Sequence, residues 1–441
     1  MKTRIDNIAQ LVTIPPGPVC GGEMALSPII DDAALLIDDD AIAWFGPAAE
    51  APGGPVDRAI DAGGGVVTPG LVDCHTHVVF AGSREREFVR RIAGASYIEI
   101  LEAGGGIRDS VRAVRAAGVD ELVSQSEPRL RRMLAGGTTT VEVKSGYGLS
   151  PDDEIKMLEA IRKLDERLPM DLVPTFLGAH AVPPEFDGRP DDYIDVISSS
   201  DLLRRITGER LAEFADVFCE RGAFSLEQSR RFLMRCRRHG LVAKVHAEQI
   251  TRTGSACLGV ELGAASVDHL ECVDAAAIAA LKASVGRASH AAPTERAGRS
   301  GGASDLIAPA PAVTIPVLLP GCSFFLGSPA ADARRLIDAG LPLALATDCN
   351  PGSAMIESLG LIMSIAATLL HMTPAESLVA CTANAAAALR RSDHIGAIAP
   401  GHRADLLILD IPNLDHWAYR IGVNPVRTVI KDGRIVLHRD D

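Results

Sequence analysis

The sequence has 441 residues, 47% hydrophobic and 23% charged, which suits one barrel-sized domain or two to three smaller ones. A formal net charge of −13 excludes the clustered basic surface of a non-specific nucleic-acid binder, and no stretch reaches the roughly 18 uninterrupted apolar residues of a membrane span. Nine cysteines, an odd number without a CxxC pair, favour reduced buried thiols over a disulfide framework, so the sequence predicts a cytoplasmic protein with a small-molecule partner.

Residues 1–67 carry short apolar segments, "AALLI" and "AIAWFG", broken by Gly, Pro and Asp, which predicts strands joined by turns. Residues 397–441 have the same character: "ADLLILDI" reads as a strand, and "RTVIKDGRIVLH" as a hairpin turning at Asp432-Gly433. The two ends are therefore expected to pair into one small β-sandwich domain. Between them, over 68–396, brief apolar runs alternate with amphipathic helical stretches. The candidate strands are "GLVDCHTH", "TTTVEVKSG", "DLVPTFLGAH", "DVFCERG", "LVAKVHAEQ", "ASVDHLE", "VTIPVLLPG" and "LPLALATDCN". The helices between them include "SPDDEIKMLEAIRKLDERL", opened by a Ser cap and an acidic first turn. This alternation predicts an α/β chain with a (β/α)8 TIM-like barrel. Residues 284–312, rich in Ala, Gly, Ser, Arg and Pro, read as a flexible insertion on the amino-terminal face of the barrel, with His290 in it solvated.

Nearly every candidate strand ends in a reactive side chain, the arrangement by which barrel enzymes gather chemistry at the carboxyl ends of their strands. His75 and His77 stand at i and i+2, so both point to one face of a strand and can reach one ion. Alone, an H-x-H pair is as readily two polar residues at a strand end. With His180, Glu220, His246, His269 and Asp348 at the other strand ends, convergence at one barrel mouth becomes the better account. Imidazoles with one carboxylate suit zinc and also accept iron, and a catalytic ion keeps a position open for water. Asp348 could then bind the ion and serve as a base, and His269 could orient the nucleophile or carry the proton. The chemistry implied is hydrolysis of a C–N bond at an sp² carbon.

The order of H-x-H after "TPGLVD", His on the fifth strand, His on the sixth and Asp on the eighth, enclosed by a split β domain, resembles the amidohydrolase superfamily. "DCHTHVVFAGSREREF", "GASYIEILEAGGGI", "EVKSGYGLSPDDEIKML", "TFLGAHAVPPEF", "LLPGCSFFLG" and "LATDCNPGSA" narrow the resemblance to the cyclic-amide hydrolases of histidine degradation. It implies one divalent zinc or iron ion per chain, held by His75, His77, His246 and Asp348. A two-metal relative would offer a bridging lysine from the fourth strand, whereas here that strand ends at Glu220 and Lys144 lies on the second, where it would brace the site. The implied substrate is 4-imidazolone-5-propanoate, which would be opened to N-formimino-L-glutamate. Arg84 would clamp its carboxylate, since a planar guanidinium binds both oxygens, with Tyr97 and Tyr147 adding hydroxyls. Without the resemblance, Arg84 in "SREREFVRR" reads as the solvated face of a helix. His180 would hydrogen-bond the ring carbonyl, and Asn350, Gly352 and Ser353 would touch substrate from the eighth loop, where "NPGS" otherwise reads as a plain turn.

Gln249 stands where many deaminases carry a proton-moving glutamate. It can bond a ring but cannot act as an acid or base, which shifts proton transfer to His269 and Asp348, with Glu248 turned off the site. Another amidohydrolase, such as an aminohydrolase of purines or pyrimidines, is the alternative. That Gln, and an Arg84 clamp with no carboxylate to bind, count against it. A catalytically silent scaffold would be expected to lack the ligand set. Many barrels of this resemblance are dimers, so the assembly it suggests is a homodimer. The run "GGGI" at 104–107 suits a loop over the substrate tail better than a phosphate cradle.

Overall fold

A computed structural model describes residues 1–26, 28–94, 105–289 and 313–439. The chain opens with β1 (Lys2–Val12), β2 (Ile29–Asp38), β3 (Ala41–Pro47), β4 (Arg58–Asp61) and β5 (Val66–Pro69). Eight strands follow: β6 (Leu71–Asp73), β7 (Thr138–Lys144), β8 (Asp171–Ala179), β9 (Phe214–Cys219), β10 (Val242–Ala247), β11 (Ser266–His269), β12 (Ile315–Leu318) and β13 (Ala344–Leu345). The last three are β14 (Leu406–Leu409), β15 (Val426–Lys431) and β16 (Arg434–His438).

The chain ends build one mixed sheet in the order β16-β15-β14-β5-β1-β2-β3, with β4 beside β1. The two ends meet where β14 runs antiparallel to β5, with Ile408 opposite Val67. One face buries Ile5, Leu35, Val67, Leu406, Ile408 and Ile430. The hairpin of β15 and β16 turns at Asp432-Gly433 as its sequence predicts, with both residues at positive φ (49° and 72°), the backbone that a two-residue turn between twisted strands requires.

β6 to β13 pair in chain order, each parallel to the next, as an eight-stranded barrel wall. Every residue of β7 is buried, as expected of parallel strands covered on both faces. Between the strands run the helices that the apolar periodicity anticipates. Ser150 caps Pro151–Arg167 by accepting the Asp153 N–H, and that helix turns Ile155, Leu158, Ile161 and Leu164 into the core. A capping box of Ser225 and Gln228 opens Leu226–Arg238. The wall closes between its first and last strands just beyond their ends: Thr76 bridges Cys349, the His77 N–H donates to the Cys349 carbonyl at 3.0 Å, and the Asp348 N–H to the His75 carbonyl at 3.0 Å. Asp73 adds a side-chain clasp across the same seam, accepting from the Thr347 N–H and hydroxyl at 3.1 and 2.6 Å.

Residues 284–289, expected in the insertion, instead finish the helix Ala275–Ser289; the remainder of that segment, His290 included, lies outside the described residues. Among the described residues no helix is long and apolar enough to cross a membrane. All nine cysteines are unpaired.

Candidate active site

The closing seam carries the chemistry. β6 ends at Asp73, so His75 and His77 sit in an extended segment just past the strand, held in place by the bonds to Asp348 and Cys349. Their Nε2 atoms lie 3.7 and 3.6 Å from Asp348 Oδ1, and His246 Nε2, at the end of β10, is 3.4 Å from His77 Nε2. His75, His77 and Asp348 thus form one potential ligand group, and His75, His246 and His269 an overlapping one, with the atoms of each group within 4.8 Å of one another. All five side chains are at most 3% exposed.

The outer edge of the imidazoles determines what the inner edge offers. His75 Nδ1 lies 2.6 Å from Asp268 Oδ2; a carboxylate oxygen only accepts, so Nδ1 holds the proton and Nε2 presents a lone pair. That Nε2 is buried and makes no hydrogen bond, the condition of an atom awaiting a cation. His246 Nδ1 lies 3.0 Å from Asp216 Oδ2, an ion-pair distance, although no hydrogen bond forms along that line. Burial holds His75 and His77 well below the usual imidazole range and His246 at about 4, so all three are neutral ligands near pH 7. Burial also lifts Asp348 to about 6, against the pull of His269. His269 shifts the other way: burial would lower it, but Glu271 at 3.6 Å, with Asp348 and Asp268, raises it. Asp348 and His269 both adopt positive φ (53° and 84°), a strained backbone that aims them inward from strand ends. The donor set of imidazole nitrogens and one carboxylate oxygen fits zinc or iron.

Around this centre, His180 stacks on His77 with centroids 5.1 Å apart, and its Nδ1 lies 3.0 Å from the Gly146 carbonyl. That carbonyl can only accept, so Nδ1 carries the hydrogen, and burial holds the ring neutral with a pKa of about 4. Nε2 is then an acceptor. In this tautomer Nε2 can accept a substrate N–H, whereas donation to a ring carbonyl requires the protonated ring. Tyr147 is buried, with its ring 6.0 Å from His77 and 5.4 Å from His180. Tyr97 lies outside the described residues.

Arg84 precedes the helix Glu85–Ile92 and turns inward. A Cβ added to Gly352 would fall 2.2 Å from Arg84 Nη1, so the guanidinium lies directly against the eighth loop and would have to move if that glycine carried a side chain. Its Nε and Nη2 donate to both oxygens of Glu87, whose Oε2 also accepts the Gly106 N–H; this leaves Nη1 toward Gly352. Asn350 uses its amide on its own turn, donating to the Asp348 carbonyl and the Ser353 hydroxyl and accepting from the Gly352 and Ser353 N–H groups at 2.8 Å each. Gln249 is half-buried, its Nε2 3.7 Å from Cys322 Sγ. Glu248 turns away, as expected, to the N–H groups of Thr253 and Ala256. Glu220 is not drawn into the centre: it accepts from the Ile250 and Thr251 N–H groups and the Thr251 hydroxyl, bracing the loop after β10.

Sequence reasoning missed the polar groups one layer beneath: Glu142, Asp216, Lys244, Asp268 and Glu271. A signal was present. In "VEVK", "VAKVHA" and "SVDH", charged residues occupy strands that burial on both faces should make continuously apolar.

The described geometry agrees with comparisons to known proteins. Residues 66–436 match the model of the Amidohydrolase family. The chain is similar to the imidazolonepropionase of Geobacillus kaustophilus, 45% identical over 97% of this chain and 96% of that one. It is also similar to the imidazolonepropionase of Chloroflexus aggregans, 46% identical over 98% of each. Among solved structures, 5-methylcytosine deaminase from Klebsiella pneumoniae shares the fold at a TM-score of 0.71 and 18% identity, over 100% of this chain and 98% of that one.

Proposed function

This chain belongs to the amidohydrolase family and, within it, to the imidazolonepropionases, and on that premise we propose that it hydrolyses the cyclic amide of 4-imidazolone-5-propanoate to N-formimino-L-glutamate, in histidine breakdown. The observation that carries the reading is the meeting, on one seam, of His75, His77 and Asp348 with Arg84 against Gly352: a cation site and a carboxylate clamp, spaced by one short loop.

His75, His77, His246 and Asp348 would hold one zinc or iron ion. When bound, it supplies a Lewis acid that polarises the amide carbonyl and makes water more acidic. Arg84 binds the substrate carboxylate through Nη1, with the Tyr147 hydroxyl on the same side of the site. His180 Nε2 accepts the ring N–H and so orients the ring, and Gln249, Gly352 and Ser353 line its rim, with Asn350 shaping their turn. Asp348 takes the proton of the attacking water. His269, whose pKa its carboxylate neighbours raise, holds the proton delivered to the leaving ring nitrogen. A C–O bond forms at the carbonyl carbon, the ring C–N bond breaks, and the freed nitrogen stays attached as the formimino group. The nine unpaired cysteines suit a reducing cytoplasm, and the resemblance supports a homodimer.

The test is loss of the substrate's ultraviolet absorbance with purified, metal-replete protein, alongside elemental analysis. The reading predicts turnover with about one metal per chain, abolished in Asp348→Asn. No turnover overturns it, and two metals per chain overturns the single-ion site.

A further inference from the structure

We infer that Lys144 is a positioning residue that sets, through two carboxylates, the orientation of the cation-facing imidazoles on two different strands. The inference rests on the reading of His75 and His246 as metal ligands. Lys144 Nζ, at the end of β7, lies 2.8 Å from Asp216 Oδ2 on β9 and 3.8 Å from Asp268 Oδ2 on β11. Those same two oxygens face the imidazoles: Asp216 Oδ2 is 3.0 Å from His246 Nδ1, and Asp268 Oδ2 is 2.6 Å from His75 Nδ1. One ammonium therefore anchors a continuous chain, His75–Asp268–Lys144–Asp216–His246, that crosses the barrel interior beneath the proposed ion.

The rest of the layer locks the lysine in turn. Glu142 accepts from Lys144 Nζ at 2.8 Å through Oε1 and from Lys244 Nζ at 2.8 Å through Oε2, and also takes the Thr175 hydroxyl. Lys244 Nζ donates as well to the Cys74 carbonyl at 2.9 Å, one residue before His75. Glu142, Lys144, Asp216, Lys244 and Asp268 are all 0% exposed. Burying so many ions returns little stability over an apolar filling of the same volume, so stability alone does not account for them. What this layer does is fix a carboxylate oxygen beside each Nδ1, hydrogen-bonded at His75 and at ion-pair distance at His246, which turns each Nε2 toward the proposed ion. Without the ammonium, Asp216 and Asp268 would repel one another and lose their common anchor, and the two rings would be free to turn. Arginine at 144 would not restore the arrangement, because its longer, planar fork cannot occupy the point where three carboxylates meet.

The test is zinc binding by the full-length, metal-stripped protein, measured by competition with a chromophoric chelator, together with the visible spectrum after cobalt loading and a circular-dichroism melt. Lys144→Met is expected to weaken zinc by about ten- to a hundredfold, the cost of losing outer partners of metal-bound histidine, and to alter the cobalt bands. Asp216→Asn and Asp268→Asn should each move affinity in the same direction, and Lys144→Arg should not rescue it. Lys431→Met is the control: Lys431 is a buried lysine of the chain-end sheet, 3.0 Å from Asp405 Oδ2, so its loss should lower the melting temperature and leave zinc affinity unchanged. If folded Lys144→Met binds zinc as the wild type does, the inference fails and Lys144 is only a fold-holding residue. If Lys144→Met does not fold, unaltered zinc affinity in both aspartate variants gives the same refutation. A wild-type protein that takes up no zinc or cobalt would instead overturn the ligand reading itself.

Discussion

Replacing Arg84 by alanine tests the carboxylate clamp with a magnitude that the structure constrains. Glu87 already occupies the Nε and Nη2 edge of the guanidinium, so the substrate carboxylate meets the Nη1 end and gains charge-assisted hydrogen bonds from that end only. Removing such an interaction costs about 1.5–3 kcal/mol, which at about 1.36 kcal/mol per tenfold raises KM roughly ten- to 150-fold. The carboxylate tail is remote from the bond that breaks, so this binding is common to ground and transition states and kcat should stay near wild type. Among the described residues, Arg84→Ala also leaves the Glu87 carboxylate one hydrogen bond, from the Gly106 N–H, beside an incoming carboxylate. Arg84→Ala/Glu87→Gln should therefore show a lower KM than Arg84→Ala. Steady-state absorbance kinetics on the three proteins decide the matter. An unchanged KM, or a loss confined to kcat, would show that the clamp lies elsewhere.

Further outcomes follow from individual contacts. Gly352→Ala puts a methyl group where Arg84 Nη1 lies and should raise KM in the same manner as Arg84→Ala while the protein melts normally; wild-type kinetics would mean that Arg84 is free to move aside. Tyr193 is fully buried and donates to the Gly178 carbonyl at 2.6 Å, so Tyr193→Phe strands that carbonyl and should cost about 1–3 kcal/mol in urea unfolding without altering kcat. In metal-free protein, His180 and His246 are held at about 4, chiefly by burial, against an ordinary value of about 6.5. A folded-state pKa below the unfolded one contributes stability that is complete above about 6.5 and is lost as pH falls toward about 4. Asp348, lifted by burial to about 6, acts with the opposite sign in that window, so the imidazole is read by difference: His180→Gln should lose less melting temperature than the wild type as pH falls from about 6.5 to about 4, and an equal loss would contradict the buried, neutral imidazole.

The fold was legible because local signals agreed with one another: Ser150 before an acidic turn, Asp432-Gly433 between apolar runs, and strands alternating with helices along the middle of the chain. The H-x-H pair was legible by its spacing, although what holds His75 and His77 is the barrel seam and not strand pairing within β6, which ends at Asp73. Partnerships between strands were not legible. That Asp268 stands beside His246 in register, and that Lys144 reaches Asp216, follow from strand order and closure, which no single segment encodes. Glu220 shows the converse: a reactive residue at a strand end whose carboxylate is spent on the N–H groups of the next loop. The hydrogen position on His180 likewise depended on a carbonyl 34 residues away in sequence.

The central claim is that this site adds water across a ring C–N bond and keeps the nitrogen attached. Mass analysis of the product of 4-imidazolone-5-propanoate, with a parallel assay for free ammonia, tests it most directly. The account predicts a product heavier than the substrate by one water, with no ammonia released; release of ammonia in step with substrate loss would contradict it and make the enzyme an aminohydrolase.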